Sequence, residues 1–130
     1  MQKGKMEQMT FDELIAMRTK KEERVQKPVE ILIPSAGKTM IFSRPKDEFV
    51  LEIVDEIGLR QTTEQTAESY RKLIYHCCSM LQKPELHEQL EVKDPYDVVR
   101  VLFELADILE VGSELLGASG IGSYADEVKN

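Results

Sequence analysis

From Phe49 to Leu116 the apolar residues recur every three or four positions, which is the spacing of one face of a helix. Phe49, Val50, Ile53, Val54 and Ile57 make a first stripe. Tyr70, Leu73, Ile74, Cys77, Cys78 and Leu81 make a second. Val98, Val99, Leu102, Phe103, Ala106, Leu109 and Leu116 make a third. A chain with three such stripes can bury them only against one another, so a helical bundle is the expected core.

Punctuation residues set the expected element ends. Thr10 with Glu13 forms a capping-box pattern, with Met9 and Leu14 as a hydrophobic staple, and opens a helix that runs to about Arg24. Its side made by Phe11, Leu14, Ile15 and Arg18 is apolar only in the first half. Pro45 lies near the first turn of the next helix, and Gly58 is the expected stop. Thr62 with Gln65 forms another capping-box pattern and opens a helix expected to continue through Gln82, and Pro84 opens a short one over PELHEQLE. Asp94, Pro95 and Asp97 start what reads as a single long helix through Leu116.

One stretch breaks the helical period. In PVEILIPSAGKTMIFSRP, Val29, Ile31 and Ile33 alternate with Glu30 and Leu32. A second β-favouring run follows a turn-forming Pro-Ser-Ala-Gly-Lys. This predicts a β-hairpin at about residues 28–43. Two strands alone are marginal in water and need a helix to pack on. The expected fold is mainly α: one helical domain over residues 9–117 with an N-terminal β-hairpin. Residues 1–8 and 118–130 are expected to be flexible ends.

PSAGKTM also resembles the end of a phosphate-binding loop. That motif needs G-x-x-x-x-G-K-[ST] between a strand and a helix. Gly37, Lys38 and Thr39 fit its last three positions, but Leu32 stands where the first glycine belongs. MIFSRP, after Thr39, favours a strand. Gly37 therefore reads as a hairpin-turn glycine. His76, Cys77 and Cys78 look like metal ligands, yet consecutive helical residues fan out by about 100° and cannot converge on one ion. The cysteines read as small core residues and His76 as a rim residue. His87 is the only other histidine, and nothing in the sequence places it beside either thiol as the base of a nucleophilic pair. No catalytic motif, cofactor site or metal site is expected.

Charge narrows the partners. The chain carries −7 overall, divided unevenly. Residues 1–46 hold 10 Lys or Arg against 6 Asp or Glu, and residues 47–130 hold 7 against 18. The acidic part, at −11, argues against a nucleic-acid surface. No apolar run reaches membrane-spanning length and no apolar signal segment opens the chain, so a cytoplasmic protein with reduced cysteines is expected. Homo-oligomers through the acidic helices remain open, opposed by like charge at low salt.

The run RKLIYHCCSMLQKPELHEQLEVKDPYDVVRVLFE, Arg71 to Glu104, resembles the XkdN-like tail assembly chaperones of tailed phages and prophages. The matching elements are Leu73, Ile74, Tyr75 and Cys78, then Leu81, Gln82, Glu85 and Leu86, then Asp94 to Val99. The order of polar head, short β segment, helical body and glycine-bearing acidic tail also agrees. The resemblance implies a non-enzymatic chaperone that binds the tape measure protein and helps recruit tail tube subunits. It implies action in the cytoplasm of the bacterial host and absence from the mature virion. The other reading is a generic helical protein–protein interaction module or operon regulator. For partner binding the expected residues are apolar positions near the chain ends: Phe11, Leu14 and Ile15, and Leu115, Leu116 and Ile121.

Overall fold

The hairpin is fastened to the helical body at both of its ends. In the computed structural model, which describes residues 6–60 and 62–120, strand β1 (Val29–Ile33) pairs antiparallel with β2 (Lys38–Phe42). Ile31, Ile33 and Phe42 face inward and are buried, while Leu32 and Ile41 face out, so the alternation in the sequence sets which face is covered. Between the strands, the N–H groups of Ala36 and Gly37 both donate to the Ile33 carbonyl. Gly37 has φ +67°, a left-handed conformation that glycine adopts without strain.

Before the hairpin lies α1 (Phe11–Gln26), and after it α2 (Asp47–Arg60) and α3 (Thr63–His76). A 3-10 turn (Ser79–Gln82) leads to α4 (Pro84–Leu90), α5 (Asp97–Leu102) and α6 (Leu105–Ala118). Helix α3 packs against α2, α5 and α6, and β1 lies on α6. The core gathers one stripe from each: Ile53 and Ile57 of α2, Leu73 and Ile74 of α3, Val111 and Leu115 of α6. The fold is thus mainly α with a minor β part, as the sequence implied.

A polar bridge reinforces the α2–α3 contact. Ser69 donates to Glu56 Oε1 at 2.7 Å, and Lys72 Nζ lies 3.5 Å from the same oxygen. Of the two expected capping boxes, the one at Thr10 forms in full, while Thr62 caps α3 without the return bond to its own backbone N–H. Thr10 and Glu13 bond reciprocally. Thr62 accepts from the Gln65 N–H while its hydroxyl donates to Gln65 Oε1.

Three expected boundaries differ. Gly58 does not stop α2, which runs on to Arg60; an interior glycine costs a helix only about 1 kcal/mol. Helix α3 ends at His76 instead of continuing to Gln82. The Cys77 carbonyl accepts from the Ser43 N–H at 2.7 Å and from the Ser43 hydroxyl at 3.2 Å, and Cys78 turns extended. The base of the hairpin thereby ends the helix. The Tyr75 carbonyl accepts the Cys78 N–H at 3.4 Å and Gln82 Nε2 at 2.9 Å.

The expected long helix after Asp94 is two helices with a break at Phe103 and Glu104. It also begins later, at Asp97, where the Asp94 carboxylate accepts the Tyr96 N–H. At about 100° per residue, Val98 and Ile108 would sit some 80° apart on one straight helix. The break resets the phase and lets Val98, Val99, Ile108 and Val111 all reach the core. Its cost falls on residues assigned to the stripe: Leu102 and Ala106 are exposed, and Phe103 and Leu109 only half-buried.

Of the two expected flexible ends, residues 1–5 and 121–130 lie outside the described residues. Within them, residues 6–8 precede α1 without regular structure, and Ser119 and Gly120 form a turn after α6.

Candidate functional site

Helix α1 is the part of the chain whose structure has no explanation in the packing. Its 16 residues include none that is buried. Helices of this length are marginal in water without an apolar face to pack. What holds α1 locally is the Thr10–Glu13 capping box and one pair across a turn, Arg18 Nε to Glu22 Oε1 at 3.4 Å. Hydrogen bonds from the Thr10 backbone and side chain keep the Glu13 carboxyl below its ordinary value, which also suits the positive end of the helix.

Phe11 is 76% exposed, Leu14 52% and Ile15 45%. They share one side of α1, and Val25 continues that side two turns on, beyond the Arg18–Glu22 pair. Met9, at the start of the helix, is exposed too, and with Leu14 also exposed the pair does not bury a staple. A large, open depression of about 540 Å³ beside α1 is lined by Met17, Lys20, Glu23, Arg24 and Lys27. All but Lys27 belong to the helix itself, so the depression has no opposing wall, and at about 100° per residue it lies on the side of α1 away from Phe11 and Ile15. The side with Phe11, Leu14 and Ile15 can cover apolar surface on another molecule; it offers no enclosed site for chemistry.

The other half of the sequence assignment needs correction. Leu115 and Leu116 are core residues, 0% and 2% exposed. Both are buried on α6, which packs against α3, so neither is available to a partner. Ile121 lies outside the described residues.

The chemistry-bearing motifs resolve into structural roles. Lys38 opens strand β2, so no helix stands behind the Gly37-Lys38-Thr39 sequence as a phosphate-binding loop requires. Cys77 and Cys78 are buried and unbonded to each other. Burial pushes the Cys77 thiol up to about 12, with the adjoining Cys78 adding to the effect, which is the opposite of an activated nucleophile. His76 is on the rim, its Nε2 2.8 Å from the Tyr96 hydroxyl. His87 Nε2 donates to the Leu81 carbonyl at 2.9 Å. Among the described residues no three His, Cys, Asp or Glu side chains are grouped to hold a metal ion.

Sequence reasoning missed two features. Asp107 is 1% exposed and accepts from both the N–H and the hydroxyl of Ser35. Val101, Leu102 and Leu105 are exposed around the α5–α6 break. Neither had a signal in the periodicity, because the break that creates both is itself invisible there. No helix among the described residues is long and apolar enough to cross a membrane. Comparison of the chain with protein-family models, curated proteins and solved structures finds no match.

Proposed function

We propose that this protein is a non-catalytic binding protein of phage or prophage tail assembly. In this reading it engages the tape measure protein and assists tail tube assembly in the cytoplasm of the bacterial host, without remaining in the virion. The observation that carries the binding role is α1, a capped helix with Phe11, Leu14 and Ile15 exposed and no residue buried. The tail-assembly assignment rests on the resemblance of Arg71 to Glu104 to the XkdN-like chaperones.

The physical logic is shielding. A long tape measure presents apolar helical surface before a tube encloses it, and an amphipathic helix lays its apolar face against such surface. Fully covering a Phe, Leu or Ile side chain is worth about 1.5–3 kcal/mol. The net charge of −7 keeps such a complex dispersed.

The test is co-expression with the tape measure protein encoded beside this gene. Co-purification that renders an otherwise insoluble tape measure soluble is the expected result. An equally insoluble tape measure with no complex would assign the chain instead to a generic helical interaction module.

A further inference from the structure

A cleft of about 330 Å³ opens between the segment joining β2 to α2 and the end of α3. Ser43, Arg44, Pro45, Lys46, Phe49, His76 and Cys77 line it. It lies apart from α1. We propose that this cleft binds a small oxyanionic ligand, a phosphate- or carboxylate-bearing molecule with an apolar or ring portion. The proposal goes beyond the partner-binding reading and does not rest on it.

Charge is the first argument. The chain from residue 47 onward carries −11, yet no acidic side chain lines this cleft. Asp47 and Glu48, in the first turn of α2, are not among its walls. Arg44 and Lys46 therefore create a local reversal of sign. Cations in a low-dielectric cleft concentrate anions more strongly than the same charges on an open face.

The second argument is that these cations have nothing else to do. Arg71, Lys72 and Arg100 of the helical body each pair with a carboxylate. The side chains of Arg44 and Lys46 make neither an ion pair nor a hydrogen bond among the described residues; the Lys46 carbonyl accepts the Val50 N–H in the first turn of α2. Arg44 is half-buried. A guanidinium carries five N–H donors in a planar fork that fits a phosphate or carboxylate in bidentate fashion. Withdrawing it from water without an acceptor is unfavourable, and an oxyanion in the cleft would supply one.

The third argument is rigidity and shape. Arg44 follows Ser43, whose N–H is bound to the Cys77 carbonyl, and precedes the buried Pro45, so its backbone is fixed on both sides. The His76 ring is held by the Tyr96 hydroxyl and meets the Phe49 ring edge-on, with centroids 5.1 Å apart. Phe49 supplies an apolar wall and the imidazole a polar edge. A few placed polar groups against an apolar wall, at this volume, describe a small-molecule site.

The experiment titrates the full chain with phenyl phosphate, benzoate and inorganic phosphate at low salt. It follows backbone amide resonances and binding heat. Saturable binding of phenyl phosphate or benzoate is expected, with the largest shifts at Arg44, Lys46, Phe49 and His76, and weaker binding of inorganic phosphate, which cannot use Phe49. Preference for phenyl phosphate identifies a phosphate ester, and preference for benzoate a carboxylate. Arg44→Gln is expected to lower affinity about tenfold or more and Lys46→Gln by a smaller factor, with Tm unchanged. Lys93→Gln, outside the cleft, is expected to change nothing. No saturable binding of any of the three probes up to about 10 mM overturns the proposal, as does equal affinity in the Arg44→Gln and Lys46→Gln variants. Recognition of an acidic protein segment alone, with all three probes inert, overturns it too.

Discussion

Ser35 at the tip of the hairpin gives both of its donors to the carboxylate of Asp107, 72 positions along the chain. The N–H reaches Oδ1 at 3.0 Å and the hydroxyl reaches Oδ2 at 2.5 Å. Asp107 Oδ2 also accepts the Glu104 N–H at 2.9 Å, closing a capping box at the start of α6. One carboxylate therefore starts a helix and holds a hairpin against it. Burial alone would raise its pKa, but the two bonds from Ser35 and the one from Glu104 outweigh that and hold it below its ordinary value of 3.8.

Removing this carboxylate is expected to be costly. Asp107→Ala leaves the Ser35 and Glu104 donors without their acceptor and should destabilise the fold by roughly 2–3 kcal/mol in urea unfolding. Because the folded-state pKa is depressed, the stabilisation is complete above pH 3.8 and is lost as pH falls below it toward the folded value. The acid limb of the stability profile should flatten in Asp107→Asn relative to the parent protein. A parallel limb would show that the carboxylate does not carry this linkage.

Helices α3 and α6 approach closely at Gly112. A Cβ built there would lie 2.3 Å from Cγ of Tyr70 and 2.6 Å from its Cβ. The second of these atoms moves only with the backbone, so rotation of the ring cannot relieve the contact. Gly112→Ala should cost roughly 1–3 kcal/mol or more by overpacking. Gly117, near the end of the same helix, has no atom within 4 Å of its added Cβ. Gly117→Ala should instead stabilise by up to about 1 kcal/mol through helix propensity. Opposite signs for the two in thermal unfolding would bear out the close approach.

The contrast between these glycines shows what was legible in the sequence. Local signals worked where the determinant was local. The Thr10 and Thr62 caps, the inward Ile31 and Ile33, and the turn at Gly37 were all readable from neighbours in the chain. Signals failed where a distant group intervened. Helix α3 ends because Ser43 takes the Cys77 carbonyl, and α6 starts at a site shared with Ser35. The apolar pattern through Phe103 continues as if nothing happened, so the phase reset has no local mark. The stripe does place Leu116 in the core, but a position near the chain end suggests that Leu115 and Leu116 meet a partner, and only the packing of α6 on α3 shows that both are covered. Arg44 carries no mark of its own in the sequence, since the cleft around it is assembled from α3 as well.

The paired cysteines should be silent in the folded protein. Cys77 and Cys78 are 3% and 1% exposed, and burial holds the Cys77 thiol protonated up to about 12. Thiol-specific reagents at pH 8 should label neither until denaturant is added, then both. The raised pKa also sets a sign at the alkaline end. Its contribution to stability is intact below the unfolded thiol's value of 9.0 and declines as pH rises from there toward 12. Cys77→Ala should remove part of that decline. Rapid labelling of Cys77 under native conditions would contradict the burial.

Partner binding and folding are expected to separate along the chain. No residue of α1 is buried, so Phe11→Ser combined with Ile15→Ser removes exposed surface alone and should leave Tm unchanged. The same pair should abolish retention of the partner in the co-expression assay, since it deletes the apolar centre of the exposed face. Thr10→Ala tests the helix rather than the face: loss of the cap costs about 1 kcal/mol, enough to unravel a helix otherwise held only by the Arg18–Glu22 pair. Circular dichroism should then show a loss of helix without a change in the main transition. Leu115→Ala is the counterpart in the core, where a buried leucine truncated to alanine costs about 2–5 kcal/mol. If Leu115→Ala lost the partner while its folded fraction stayed intact, or if Phe11→Ser with Ile15→Ser unfolded the body, the division of labour between α1 and the core would be wrong. The expected pattern, with binding lost and fold kept at one end and the reverse at the other, follows from the full burial of Leu115 on α6 and from the absence of any burial on α1.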